Sequence, residues 1–534
     1  MKSETRQITI FVAFTVGIIL SCSTALAPSS KAKSATPIAE IDQKAGAISS
    51  TAYLTSAQTG GASGTEVITI DSSAPSHAFP HMWEQIFGSG RAVLTMRQSY
   101  RDDLRAVKAI TGFQYIRFHA IFHDENGVYD EDQNGKPIYN FSYVDQIYDG
   151  LLDAGVKPFV ELSFMPRKLA ANLAPHPFWY KPFPSPPKDP AKWVALIETF
   201  TKHLIDRYGK DEVEQWYFEV WNEPNIDFWN GEPKQATYFA LYDETARAIK
   251  GVDTKLRVGG PATAQAAWVD QFIAHCAENH IPFDFVSTHV YGNEASKDVF
   301  GKDLPITRRD MVARSARKVF DQVKASAAPN TPIIWSEYNA TYLNQPEVTD
   351  SAFMGPWLAN NIRECDGLVN SMSYWDLSDV FEEQGVVKTP FYGGYGLVAE
   401  RNIPKAAFRV FELLHRLGNQ RLEASSENAL ITKKPDGTYV VALWNYAEPK
   451  EESPSRTFQL ALQGIKAKTY RMQVVAPGSG SVLEAWTKMG SPVSPTRAQI
   501  EELKKSSELL PVQKLPVSKP IILGPQTLAI LEIQ

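Results

Sequence analysis

Cysteine is nearly absent: three residues in 534, Cys22, Cys276 and Cys365. A disulfide-stapled scaffold is thereby excluded. The mature domains could close one bridge at most, so stability must come from a packed core. No Cys/His group has the spacing of a structural zinc site, and neither a metal nor a cofactor is expected. Net charge is small, −6 at pH 7. With no basic run beside it, nothing points to nucleic acid as a partner. No glycine-rich phosphate fingerprint follows the first predicted strand, which counts against an open, doubly wound nucleotide-binding sheet.

What is present begins with a leader. Lys2 and Arg6 precede an apolar run, Ile8 to Leu20, and small residues follow from Ser21 to Ala27. This is the order of a secretory signal over residues 1–27. The run is short for a membrane span, though an uncleaved anchor stays open. Two processing sites compete. Ala25-Leu26-Ala27 fits small-x-small cleavage but is followed by Pro28, whereas Ile19-Leu20-Ser21-Cys22 looks like a bacterial lipoprotein box with Cys22 lipidated. The expectation is export, to the periplasm or beyond, either free or held by a lipid at Cys22.

Residues 28–65 are rich in Ser, Ala, Thr and Gly and read as a flexible linker. From there short β-rich segments alternate with helix-length amphipathic stretches. The strand candidates start at Trp83 and continue at Phe113–His119, Lys157–Phe164, Glu214–Glu223, Leu256–Ala262, Phe283–Tyr291, Pro332–Asn339 and Ser371–Ser378. Helical stretches such as 145–154, 191–208, 235–249, 307–325 and 405–417 lie among and after them. This repetition predicts an α/β chain folded as a (β/α)8 TIM barrel over residues 80–417. Beyond Gly418 the texture becomes all-β, with a hairpin turning at Pro435-Asp436-Gly437. A β-sandwich is expected over 418–534, interrupted by a short helix near 496–507 and joined by an N-terminal strand within 66–79.

In such a barrel the C-terminal ends of the strands line the active site. Standing there are Arg117, His119, Asn222, Glu223, His289, Tyr291, Glu337, Asn339, Trp375, Asp376, Glu382 and Glu383. Carboxylates, amides, imidazoles and large aromatics crowd together, with no Ser or Cys nucleophile constellation. That mixture suits a carbohydrate, whose apolar faces stack on rings and whose hydroxyls bind polar groups. Glu223 and Glu337 form the obvious pair, because glycoside hydrolysis needs one carboxyl to protonate the leaving oxygen and a second to attack or to activate water. Asn222 is placed to bond a sugar 2-hydroxyl, and Pro224 stops the strand so that Glu223 is presented at the mouth. Glu219 reads as a structural residue paired inside the barrel, and Trp216, Trp221 and Trp335 as packing. The stretch from Asp130 to Gly135 opens like a calcium loop, but Phe141 stands where the loop needs a bidentate Glu, so a polar hairpin is expected.

The segments "FEVWNEPN", "WSEYN", "YIRFHAIF", "STHVYG", "SYWDLSDVFEEQG" and "FYGGYGLV" together resemble glycoside hydrolase family 39, the β-xylosidase and α-L-iduronidase family. The C-terminal "AWTKMGSPVSPTRAQIEELKKSSE" resembles its xylosidase members. The resemblance implies a retaining glycosidase with Glu223 as general acid/base and Glu337 as nucleophile. It further implies sugar contacts from His119, Asn222, His289, Tyr291, Trp375, Glu382 and Glu383, and a non-proline cis peptide at Trp375–Asp376. An iduronidase must neutralise a substrate carboxylate, and Glu382 and Glu383 would repel one. A neutral sugar is therefore expected, a β-xyloside first. Arg117 then serves to orient a catalytic carboxylate. The alternatives are another neutral glycoside or exopolysaccharide, or a carbohydrate-binding protein without turnover.

Overall fold

The computed structural model describes residues 64–534. The leader, both processing sites, Cys22 and nearly all of the 28–65 linker lie outside the described residues.

Eight parallel strands close into a barrel. In chain order they are Ile86–Arg91, Tyr115–His119, Lys157–Glu161, Tyr217–Glu219, Arg257–Thr263, Phe285–Tyr291, Ile333–Asn339 and Ser371–Tyr374. Each overlaps a segment read as a strand from the sequence. Helices intervene, among them Gln98–Ile110, Ser142–Leu152, Pro190–Tyr208, Lys234–Val252, Val269–Glu278, Met311–Ala325, Met354–Cys365 and Ala406–Leu414. Their apolar faces pack on the strands; Trp193, Leu196, Ile197, Phe200 and Leu204 form such a stripe on the third of these helices. The architecture is a TIM barrel.

Strand periodicity sorts the barrel interior into layers. Ile86, Phe159, Phe285 and Ile334 close the N-terminal end as an apolar plug. Two residues further along the second, third and fourth strands come Arg117, Glu161 and Glu219, all fully buried. His119, His289 and Glu337 stand above them, toward the C-terminal mouth. A charged layer thus separates the plug from the surface a ligand would meet.

The fourth strand is shorter than the sequence suggests. It ends at Glu219 rather than Glu223, because Trp221 and Glu223 adopt left-handed backbone, φ 73° and 44°. Such conformations cost non-glycine residues energy and cannot continue a strand. Pro224 therefore follows a turn already made.

The C-terminal half builds two further sheets. Seven strands form one, including Ala429–Lys433, Tyr439–Asn445, Thr469–Val475 and Thr527–Ile533. Three form the other: Glu66–Asp71 pairs in parallel with Arg456–Gln463, which pairs with Ile521–Leu523. Alternation along Tyr439–Asn445 decides what each face covers. Val441 and Leu443 point into the core between the sheets. Val440, Ala442 and Trp444 join the barrel's own core, and their strand packs toward helix Met354–Cys365. At the hairpin tip Gly437 takes φ 90°, which a side chain resists. The helix Arg497–Ser506 starts from a capping box between Thr496 and Gln499.

Asp130 lies in a hairpin of Tyr129–Glu131 with Pro137–Tyr139, whose turn is held by the Asp132 carboxylate accepting from the Asn134 and Lys136 amides. Cys276 and Cys365 are buried free thiols, so neither forms a bridge.

Candidate active site

Above the charged layer lies a cavity of about 410 Å³. His119, Asn222, Glu223, Tyr291, Glu337, Trp375 and Glu383 contribute to its wall.

Arg117 organises the floor. Its Nε donates to Glu219 Oε2 at 2.5 Å, Nη1 to Glu337 Oε1 at 2.7 Å and Nη2 to Asn222 Oδ1 at 3.0 Å. Glu161 Oε2 lies 2.9 Å from Nη2. The planar guanidinium supplies donors in fixed directions, which a lysine could not reproduce. Glu161 also meets His119 Nδ1 at 2.7 Å and accepts from the Ser163 hydroxyl. Burial pushes the Glu161 carboxyl up, but His119 and Arg117 outweigh it and hold it below its usual value. His119 moves the other way: burial depresses it, and Glu161 with Glu337 more than compensates. Glu219 pairs inside the barrel as expected, whereas Glu161 carries no motif in the sequence and only its inward phase on the third strand marks it.

Glu337 lies near the C-terminal end of the seventh strand. Besides Arg117 on Oε1, it accepts the Tyr291 hydroxyl on Oε2 at 2.7 Å. Burial and the neighbouring carboxylates of Glu337 and Glu223 push the Tyr291 phenol far up, so it stays a donor. Glu337 thus receives a hydrogen bond on each oxygen, which fixes the plane of its carboxylate.

Glu223 is 8% exposed. It is less open than a residue presented at a rim, because the cavity that reaches it is deep. Its amide donates to Ala262 O at 2.8 Å and its Oε1 lies 3.0 Å from His289 Nδ1. Burial, then the charges of Glu337 and Glu294, raise its pKa well above the ordinary carboxyl range. His289 is depressed by burial and by Arg117 and His119, so it is neutral. One oxygen of Glu223, one of Glu337 and a ring nitrogen of His289 all lie within 4.8 Å of one another. Three such donors could gather a cation, but the Arg117 guanidinium already supplies positive charge to Glu337. The two carboxyls therefore differ: one surrounded by donors, the other pressed to keep a proton.

Trp375 lies over His119, ring centroids 4.7 Å apart, and its peptide to Asp376 is cis. With Tyr291, Phe381 and Tyr395 it forms an aromatic cluster at the mouth. Gly88 on the first strand makes room for it: a Cβ there would lie 2.2 Å from Trp375 Cε3. The loop after the eighth strand is pinned by a fully buried Lys405, whose Nζ meets Asp350 at 2.7 Å and Asp379 at 3.0 Å.

On that loop the two adjacent glutamates part company. Glu383 reaches the cavity, and burial, with Glu337 and Glu161 nearby, pushes its carboxyl up to about 8. Glu382 does not reach it. It pairs with Arg97 at 2.6 Å and Arg91 at 3.1 Å behind the wall, and the two cations more than offset the upward push of burial. Consecutive residues on a turning chain point in different directions, and two nearby arginines claim the first. The sequence also missed wall residues on loops, notably Gln265, Glu294, Tyr342 and Tyr395, for which strand phase offers no signal.

Residues 66–523 match the profile of glycosyl hydrolases family 39. The chain belongs to glycosyl hydrolase family 39. Among family 39 relatives, a β-xylosidase of Geobacillus stearothermophilus is 38% identical over 436 residues, 80% of this chain and 86% of that protein. One of Caldicellulosiruptor saccharolyticus is 34% identical over 439 residues, 80% and 88% of the two chains. The crystal structure of a monomeric β-xylosidase from Caulobacter crescentus superposes with a TM-score of 0.79 at 33% identity, covering 88% of this chain and 99% of that one. As a family 39 member the chain is a glycosidase, an enzyme that hydrolyses a carbohydrate substrate.

Proposed function

We propose that this enzyme is an exo-acting β-xylosidase that hydrolyses neutral β-xylosides by double displacement with retention. The carrying observation is the composition of the cavity wall. It holds Glu223, Glu294, Asp298, Glu337 and Glu383 and, among the described residues, no Lys or Arg. A uronate would find no arginine or lysine to neutralise it there, whereas hydroxyls find acceptors. Its size suits a small sugar more than a polymer groove, and the relatives at 38% and 34% identity are named β-xylosidases.

The proximity of the two carboxyls supports retention. Retaining enzymes hold theirs roughly 5–5.5 Å apart, inverting ones roughly 6.5–9.5 Å to admit water; a pair of oxygens within 4.8 Å suits the shorter class. In the first step a Glu337 oxygen attacks the anomeric carbon. The glycosidic C–O bond breaks and the Glu223 proton passes to the leaving oxygen. Esterified Glu337 carries no charge, so the field that held the proton on Glu223 weakens. Glu223 then takes a proton from water as that water attacks, and Glu337 leaves as carboxylate. Neutral His289 bonds Glu223 without supplying a competing positive charge. Asn222, held by Arg117, is left to meet the sugar 2-hydroxyl.

The deciding experiment offers aryl β-xyloside, β-glucoside, α-arabinoside and α-iduronide, and follows the product anomer by NMR. Turnover of the β-xyloside with first formation of β-xylose is expected. Inverted product would overturn the mechanism; no turnover of any β-pentoside would overturn the substrate. We also propose export, on the strength of the leader at 1–27. Fractionation of the native host with N-terminal sequencing tests it: a full-length cytoplasmic protein would refute export, and a blocked N-terminus at Cys22 would identify the lipid-bearing form.

A further inference from the structure

A second group of convergent donors lies at the opposite end of the barrel. His81 and Glu84 precede the first barrel strand, and His415 follows the last barrel helix, Ala406–Leu414. His81 Nδ1 lies 2.7 Å from Glu84 Oε1, and His415 Nδ1 lies 2.9 Å from Oε1 and 3.0 Å from Oε2. One donor atom from each residue lies within 4.8 Å of the other two. The site is remote in sequence, Glu84 and His415 being 331 positions apart, so no local ligand spacing announces it.

We propose that His81, Glu84 and His415 form a binding site for one borderline divalent cation of the zinc, cobalt or nickel class. Two imidazoles and a carboxylate are the donor chemistry such ions select. The carboxylate calls for a counter-charge. Glu84 is 1% exposed, and among the described residues its ion-pair partners are these two imidazoles, with no Lys or Arg. The catalytic trio differs on this point, since Arg117 already sits on Glu337.

The surroundings permit an ion. His81 stacks on Trp83, centroids 4.4 Å apart, which fixes one imidazole. The His415 side chain is 46% exposed, giving an entry path and room for a water as fourth ligand. Gly112 faces the cluster, and a Cβ there would come 3.3 Å from Glu84 Oε1. Ligand atoms around a tetrahedral zinc at about 2.0–2.1 Å stand roughly 3.3 Å apart, so the cluster must open by about half an ångström. Rotation of the exposed His415 opens its own pair, and a small turn of the Glu84 carboxylate opens the one with His81. A bound ion would tie the chain entering the barrel to the chain leaving it.

The test uses untagged protein stripped with chelator and titrated with Zn²⁺ by calorimetry and with Co²⁺ by visible absorbance. We expect one equivalent bound, a rise in Tm of at least about 2 °C at saturation, and unchanged kcat/KM. His415→Asn, a substitution at a half-exposed position, should weaken binding by at least tenfold while the metal-free Tm stays close to that of the parent. His81→Asn should do the same. Absence of stoichiometric binding, binding that survives both variants, or binding that instead abolishes activity through Glu223 and Glu337 would each overturn the proposal.

Discussion

Arg117 reaches Glu337 at 2.7 Å from beneath, with its own side chain wholly sealed from solvent. The same guanidinium bonds Glu161 and Glu219. One cation thus fixes a reacting group while neutralising part of the charge on two others. Removing it leaves three buried carboxylates without their shared cation, a loss that typically costs about 3–5 kcal/mol. Arg117→Met should lower stability by that order in urea unfolding and abolish turnover. Arg117→Lys should recover part of the stability but little of the rate, since an ammonium cannot span the same four acceptors. A Met variant as stable as the parent would refute this reading.

Glu223 must carry a proton to start the reaction, and its pKa lies well above the ordinary carboxyl range. Activity should therefore persist well above pH 4.5 and fall only as pH rises through the raised value. Glu223→Ala should cost about 10²–10⁴ in kcat/KM for poor leaving groups and far less for an activated aryl xyloside, whose first step needs little help from an acid. Rates across a leaving-group series, with the alkaline limb lost in the variant, check both statements. Equal losses for all leaving groups would argue against the acid role.

Gly88 and Trp375 occupy nearly the same space, a Cβ on one falling 2.2 Å from the ring of the other. Gly88→Ala should tilt the indole into the cavity. We expect kcat/KM to fall by about 10- to 100-fold, the scale associated with ångström misplacement, and mainly through KM. Steady-state kinetics with intact circular dichroism tests it; unchanged KM would mean the ring does not meet the sugar.

Glu383 carries a folded-state pKa of about 8 against 4.5 for the free group. A carboxyl raised on folding contributes its stability below the unfolded value and loses it as pH climbs through the folded one. The fold should therefore weaken between about pH 5 and 8. Glu383→Gln, which stays neutral throughout, should flatten that slope. Chemical unfolding at three pH values measures it, and parallel slopes in both proteins would exclude Glu383 as the source.

Much of this was legible before any coordinate. The barrel follows from β-rich and amphipathic segments in alternation, and Glu223 and Glu337 from the C-terminal ends of two expected strands, although the fourth strand itself stops at Glu219. Arg117 was visible as an orienting group because it shares a strand face with His119. Glu382 shows where the reading stops: "FEEQG" offers two equivalent glutamates, and only Arg91 and Arg97, some 290 residues upstream, decide between them. Gly88 is similar, since its importance lies in a ring from the far end of the barrel. The His81–Glu84–His415 group was hidden for the same reason. Chemistry assembled by strand phase can be read from a line of residues; chemistry assembled by barrel closure cannot.

The sheet containing Tyr439–Asn445 turns one of its faces into the barrel's own core, and the chain visits the smaller sheet at Glu66–Asp71 before the barrel begins. The catalytic cylinder is therefore no detachable cassette. A gene trimmed to residues 80–417 would expose Trp444's former seat among the helices and should yield aggregate. Fusions or circular permutations of this enzyme belong instead at exposed turns of the accessory sheets, where both halves travel together.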